Sequence, residues 1–484
     1  MVRLGKSATA SHASSGWQGN ILVISNTGMR LSKLCHPLGS QFDPNDVLCN
    51  CSAGPFSGGC CSRNRTMPNG ALTGLKVLDF THYVAGPYCT KLLADYGADL
   101  IKVEAPSGDG ARQIGPFPDD VPHLEKSGLF LHLNTNKRGV VINLKRDEAA
   151  DLVCSLASWA DVVVENFRPG VATRLGVGYE QLSAINPRLI YTSISNFGQT
   201  GPYRDYKGSE IVFYGMGGEM HSTGLADREP LKLGGNVGLY QAGAVAAVAT
   251  MGAILAGSFA PDGADAPGQH IDVSILETQL GSVDRRQSAL LAHQYTGELS
   301  HRPASGGSGG YPNAVYPTAD GYLQINGSRM YWPRTVAMLG NPPELNTERW
   351  RDPASQGDPD MQIEFESAHF LPWLLERTNA EAWQAAQTHH VLSGPINTMA
   401  DLDVDPSFNA RDVFAKADHP AAGPLRYPGR PFIMNQSPWQ LRHTAPLLGQ
   451  HTQEVLIELG YSKSHISALA KAGTILTNAP CRGE

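Results

Sequence analysis

Residues 75–104 read LKVLDFTHYVAGPYCTKLLADYGADLIKVE. LKVLDF (75–80) has the composition of a strand, and GPYCTKLLADYG (86–97) is a helix entered by Gly-Pro and stopped by glycine. ADLIKVE (98–104) is a second strand. A helix between two strands returns the chain to the same end of the sheet, so the strands are expected to be parallel and adjacent.

The pattern continues downstream. GVVINL (139–144), DVVVENF (161–167) and RLIYTSIS (188–195) read as strands, and DEAADLVCSLAS (147–158) reads as a helix. Strands alternating with helices, several of them apolar on both faces, predict an α/β fold with a buried parallel sheet. A small-residue helix is expected over about 240–257. HIDVSILETQLGSVDRRQSALLAHQ (270–294) begins as a strand or a tight entry and then reads as a helix. From 295 the character changes: a glycine-rich loop (305–317), a hairpin-like strand DGYLQING (320–327), then helical stretches at 331–339, 365–377 and 379–388. Residues 446–461 and 462–473 read as two capped helices. This divides the chain into an extension (1–66), a large α/β domain (67–295), a smaller domain (296–425) and a C-terminal segment (426–484). The extension holds no acidic residue before Asp43 and is rich in Ser, Gly and Cys. It is expected to be disordered or non-native, with Met67 as the true start; an organelle transit peptide is the alternative.

Composition excludes several classes. The chain of 484 residues carries a net charge of −7, with no clustered Lys/Arg footprint for nucleic acid. The uncharged run 233–261 is long enough to span a bilayer, but Ala and Gly dominate it and no aromatic belt brackets it. It reads as a buried, closely packed helix, so no membrane partner is expected. Five of the eight cysteines fall before residue 62, and CNC and CC lack metal-ligand spacing. No metal is expected, and the body reads as a reduced, cytoplasmic protein. The loop after the first strand, THYVAGPY (81–88), lacks the dinucleotide fingerprint, and no P-loop, HExxH, CxxC or GxSxG occurs.

Six phrases, taken together, resemble the class III CoA-transferase family, which includes formyl-CoA and carnitine CoA-transferases and α-methylacyl-CoA racemases. They are residues 75–104, NTNKRGVVINL (134–144), DVVVENFRPGVATRLG (161–176), NPRLIYTSISNFGQTGPY (186–203), SGPINTMADLDVDP (393–406) and APLLGQHTQEVLIELGY (445–461). The resemblance covers about 74–475 in unbroken order. It implies a large doubly wound parallel-sheet domain, a smaller α+β domain, a C-terminal segment returning to the first, and an interlocked dimer. It also implies coenzyme A or an acyl-CoA as substrate, with no permanently bound cofactor, and a carboxylic acid as acceptor.

The same resemblance carries site residues onto this chain. His82, Tyr83 and Ala85 match the family's CoA loop. Ile142 matches an apolar adenine contact; Asn166 and Phe167 sit at a strand end, and Arg174 and Lys207 match phosphate-binding cations. Asn136, Lys137 and Arg138 form a polar cluster before a strand. Pro169 and Gly170 open a short helix whose N–H groups favour an anion. Ala105 stands where the family often has a basic residue. SGGSGG (305–310) resembles the family's mobile glycine lid, with a flexible linker as the alternative.

Family transferases use an aspartate nucleophile in a Gly-Asp turn at the mouth of the small-residue helix. The carboxylate attacks the thioester, and CoA passes through an enzyme-bound thioester to the acceptor. Aligned on Gly238 and Gly243, this sequence has Leu239 there, in KLGGNVGLYQAG (232–243). Asp227, Glu229 and Asp262 are too distant in sequence to replace it. Glu210 matches an assisting glutamate and is the candidate substitute nucleophile, or else only positions a ligand. Val84 replaces a polar residue of the formyl transferase. The racemase pair falls on Ser209 and Leu239, which disfavours racemisation. The expected function is CoA transfer from an acyl-CoA thioester to a carboxylic acid. The alternatives are a non-nucleophilic CoA-binding subunit paired with a related chain, or a racemase or lyase reaction. The assembly is expected to be a homodimer or such a heteromer.

Overall fold

The computed structural model describes residues 70–259, 267–281, 284–299, 301–302, 310–352 and 354–477. The expectations for 1–66 lie outside the described residues, as does the glycine loop 305–310 apart from Gly310.

Six strands make one parallel sheet: β1 (Lys76–Asp79), β2 (Asp99–Glu104), β3 (Arg138–Ile142), β4 (Val162–Glu165), β5 (Ile190–Ser195) and β6 (Gln269–Ser274). Their order is β3-β2-β1-β4-β5-β6. β1 and β2 pair in parallel, Lys76 opposite Asp99 and Asp79 opposite Lys102, as the opening βαβ reading requires. Successive side chains on a strand point to opposite faces, and the core follows that rule. Leu78, Ile101 and Val163 belong to one buried cluster; their neighbours Val77, Leu100 and Val162 belong to the other. Helix Ala149–Trp159 covers the first face, giving it Leu152, Val153 and Leu156. Helices Ala85–Asp95 and Val237–Ser258 cover the second.

The long helix Val237–Ser258 is, among the described residues, the one helix long and apolar enough to cross a membrane. It lies against Ala85–Asp95 so closely that a Cβ on Gly243 would meet the carbonyl oxygen of Ala85. Thr250 reaches the sheet through Thr192, hydroxyl to hydroxyl, at 2.8 Å. The expectation of a wholly buried helix needs correction: Ala242 and Ala246 are buried, but Val248 is 73% exposed and Leu255 47%. The sheet offers cover on one side only, and no described element packs over the other.

Beyond residue 310, β7 (Asn313–Pro317), β8 (Tyr322–Asn326) and β9 (Leu392–Pro395) form an antiparallel sheet with β8 central. An aromatic core packs beside it, built from Tyr311, Tyr316, Trp332, Trp350, Phe365 and Phe370. β10 (Phe414–His419) and β11 (Gly423–Pro428) make a separate hairpin. The chain then returns to the large sheet. Helices Thr452–Glu458 and Lys463–Lys471 supply Val455, Leu456, Ile466 and Leu469 to its first face. β12 (Ile475–Leu476) pairs antiparallel with β3, Ile475 opposite Ile142.

Candidate functional site

The chain builds β1, β2 and β3 outward on one side, then crosses to β4, β5 and β6 on the other. Loops leaving β1 and β4 therefore part in opposite directions, opening the crevice at the carboxyl ends where α/β proteins bind ligands. Asn166 bridges it. Its carbonyl oxygen accepts from the His82 amide at 2.9 Å, and its amide nitrogen donates to the His82 carbonyl at 2.8 Å. The His82 and Phe167 rings lie 5.8 Å apart, tilted. Tyr83 adopts a left-handed φ of 70°, a conformation uncommon for a bulky side chain.

Two cavities flank Phe167. One, of about 260 Å³, is lined by His82, Val103, Ala105, Ile142, Lys145 and Phe167 among others. The other, of about 290 Å³, is lined by Asn166, Phe167, Arg168, Pro169, Arg174 and Arg204 among others. The first is mostly apolar, with Lys145 as its lysine and the buried carboxylates Glu104 and Asp109 also on its lining. The second is cationic, and the Arg174 and Arg204 guanidinium nitrogens converge over Gly170, 3.6 and 3.8 Å from where its Cβ would sit. Ser195 also lines it; its hydroxyl is buried with no partner among the described residues. An apolar slot beside an arginine-lined one suits a flat heterocycle joined to phosphates.

The structure thus gathers His82, Ile142, Asn166, Phe167 and Arg174. Ala105 lines the first cavity, and Lys145 on the same lining supplies a cation there. Three expected residues lie off both linings. Ala85 is buried at the start of its helix. The Tyr83 hydroxyl lies 3.5 Å from Asn236 Oδ1, at the mouth of the long helix. Lys207 is exposed, one residue past Tyr206 of the second cavity. The helix opened by Pro169 and Gly170 is a single turn, Val171–Arg174, so its N–H groups add little beside three arginines. The polar run 136–138 is scaffold rather than a ligand contact. Lys137 is fully buried on Asp79 at 3.1 Å. Asn136 accepts from the Arg442 and His443 amides, and Arg138 pairs with Asp99 and Glu458. Sequence reading overlooked Lys145, Arg168 and Arg204; each stands just past a strand end or in the loop beyond one, the place where cations should have been sought.

The turn at the head of the long helix is held from three sides. Glu210, first residue of the short helix Glu210–Met216, accepts from the Gly238 amide through Oε1 at 2.9 Å. Its Oε2 pairs with Lys232 at 2.5 Å. Gln279 donates to the Gly238 carbonyl at 3.2 Å. Lys232, also missed from sequence, further donates to the Leu233 and Gly235 carbonyls and folds the KLGGN loop over the carboxylate. Leu239 is 6% exposed and shares a buried cluster with Val84, Phe197, Phe213 and Ile275. Among the described residues, the carboxylate that holds the turn, Glu210, therefore has both oxygens engaged, and Leu239 itself packs as an ordinary core residue.

The sequence profile of CoA-transferase family III matches residues 72–452. Succinate–glutarate CoA-transferase of Agrobacterium fabrum is 35% identical over 82% of this chain and 96% of its own length. Formyl-CoA:oxalate CoA-transferase of Streptomyces avermitilis is 33% identical over 84% and 99%. A subunit named BbsE, of succinyl-CoA:(R)-benzylsuccinate CoA-transferase from Thauera aromatica, is 29% identical over 83% and 97%. Among solved structures, a CAIB/BAIF family protein from Brucella suis superposes with a TM-score of 0.69 at 30% identity, covering 81% of this chain and all of that one. The chain belongs to CoA-transferase family III, and is an enzyme of the CoA-transferase type.

Proposed function

We propose that the chain binds a coenzyme A thioester in the crevice between the β1 and β4 loops and serves transfer of CoA to a carboxylic acid. The carrying observation is the pair of cavities on either side of Phe167, apolar with Ile142 and cationic with Arg174 and Arg204. In this reading Leu239 occupies the position of the family aspartate, and Glu210 is the candidate nucleophile. Its carboxylate would attack the thioester carbonyl, forming a mixed anhydride and releasing CoA thiolate. The thiolate would then attack the glutamyl carbonyl, releasing the first acid and leaving CoA on Glu210. The acceptor carboxylate would repeat both steps in reverse. For this attack Lys232, which pairs with Oε2, would have to release one oxygen.

A second reading is favoured by that same engagement of both Glu210 oxygens and by the burial of Leu239. Here the chain is a CoA-binding, non-nucleophilic subunit, and a related chain carries the aspartate. That a relative is named as a subunit supports it. In either reading the exposed apolar side of Val237–Ser258 supports a dimer in which a second chain, homologous or identical, covers it. Cys89 and Cys154, unbridged, suit a reducing compartment such as the cytoplasm.

The two readings separate by mixing the purified chain with acyl-CoA and hydroxylamine, which traps an enzyme-bound thioester as a hydroxamate. Inactivation that disappears in Glu210→Gln supports Glu210 as nucleophile. Tight CoA binding without adduct or turnover supports the subunit. Absence of any affinity for CoA or its esters in calorimetry overturns both.

A further inference from the structure

The segment Thr81–Tyr83 holds its polar peptide groups through side chains from three other parts of the sheet. The Thr81 amide donates to Asp79 at 2.7 Å, and the Thr81 carbonyl accepts from Lys102 at 2.7 Å. Both His82 peptide groups go to Asn166. The Tyr83 amide donates to Asp109 at 2.9 Å. Lys102 and Asp109 are themselves an ion pair at 2.9 Å, both buried. One pair therefore grips the loop on both sides of His82, its cation on the carbonyl before and its anion on the amide after.

Such a pair is a poor device for stability alone, because desolvating two charges offsets most of their attraction. What it supplies is direction. A left-handed Tyr83 persists only where its surroundings over-determine it, and Asp109 is the group that fixes its amide. Burial would raise the Asp109 carboxyl, yet Lys102 and the Ala111 and Tyr83 amides outweigh burial and hold it at about 2. The pair stays charged across the working range of pH.

We propose that Lys102 and Asp109 are positioning residues: a buried ion pair that sets the His82–Tyr83 loop in its ligand-binding geometry before any ligand arrives. This rests on reading the crevice as the coenzyme site. If releasing the pair leaves the loop in its binding geometry a tenth of the time, CoA affinity falls about tenfold.

The test has two arms. Amide exchange of residues 81–83 in the unliganded wild-type protein, read by mass spectrometry with fragmentation, is expected to be slow although His82 lies at the surface. Exchange at the rate of an open loop overturns the proposal. In the second arm, Lys102→Met/Asp109→Leu replaces the pair with apolar side chains, and CoA is titrated by calorimetry. A lowered Tm, because the Thr81, Tyr83 and Ala111 peptide groups lose their partners, with affinity weakened about tenfold is expected. Asp358→Ala, which removes a helix cap in the smaller domain, should lower Tm and leave affinity unchanged. Wild-type affinity in the double variant overturns the proposal; a double variant that does not fold leaves the exchange arm to decide. If wild-type protein binds no CoA, the coenzyme reading fails while the exchange arm still tests the clamp.

Discussion

Glu165 closes β4 with its carboxyl 3% exposed, accepting from the Phe167 amide at 2.7 Å. Burial pushes this carboxyl up to about 7, against the hydrogen bonds from Ser193 and Phe167, with Asp272 adding to the rise. The folded protein therefore holds a proton that the unfolded chain releases near 4.5. Stability falls as pH climbs from about 4.5 to 7, by about 3 kcal/mol, and stays reduced above that. Glu165→Gln, which stays neutral and still accepts from Phe167, should match wild type in Tm at pH 4.5 and exceed it at pH 8; a gap that does not change with pH would contradict this. Leu239→Asp is the complementary change. An unpaired carboxylate in that apolar cluster should cost about 3 kcal/mol in denaturant unfolding, while creating a hydroxylamine-sensitive adduct that wild type lacks or forms slowly. Retained stability with no adduct would mean that the turn cannot present a carboxylate to a thioester. Single residues were readable from sequence where a strand end located them, as with Asn166 and Phe167. Lys232 was not, because its bond to Glu210 joins two loops that no pattern along the chain connects.

The elements were the most legible level. Short apolar runs and glycine-stopped helices located β1 to β5, since a parallel sheet covered on both faces demands nearly continuous apolar runs; β6, QHIDVS, lies at the sheet edge and carries a weaker signal. The long helix was the exception. Its length and apolar content were plain, but Ala, Gly and Val occupy every side of it, so no polar stripe marked the face that would stay uncovered. Its inner face can be tested at Gly243, which sits against Ala85 with no room for a side chain. Gly243→Val should separate the two helices and lower stability by about 2 kcal/mol in chemical denaturation. Because Val84 and Leu239 share the cluster at this contact, CoA affinity should fall with it; an unchanged unfolding midpoint would show that the helices can slide apart freely.

At the scale of the molecule, fold class was readable because alternation of strand and helix is a property of the whole chain. Joining of distant segments was not: nothing in TILT (474–477) announces a strand. Truncation after Tyr461 removes the helix Lys463–Lys471 and β12, uncovering Ile142 and the first face of the sheet. The shortened protein is expected to lose most CoA affinity and to associate through the bared β3 edge, measured by calorimetry and light scattering; full affinity in a monodisperse product would refute this. The pairing of Ile475 with Ile142 also has a temporal meaning. The wall of the apolar cavity leans on a strand that follows it in the chain with the whole smaller domain in between, so during synthesis the pocket stays open until that strand has emerged.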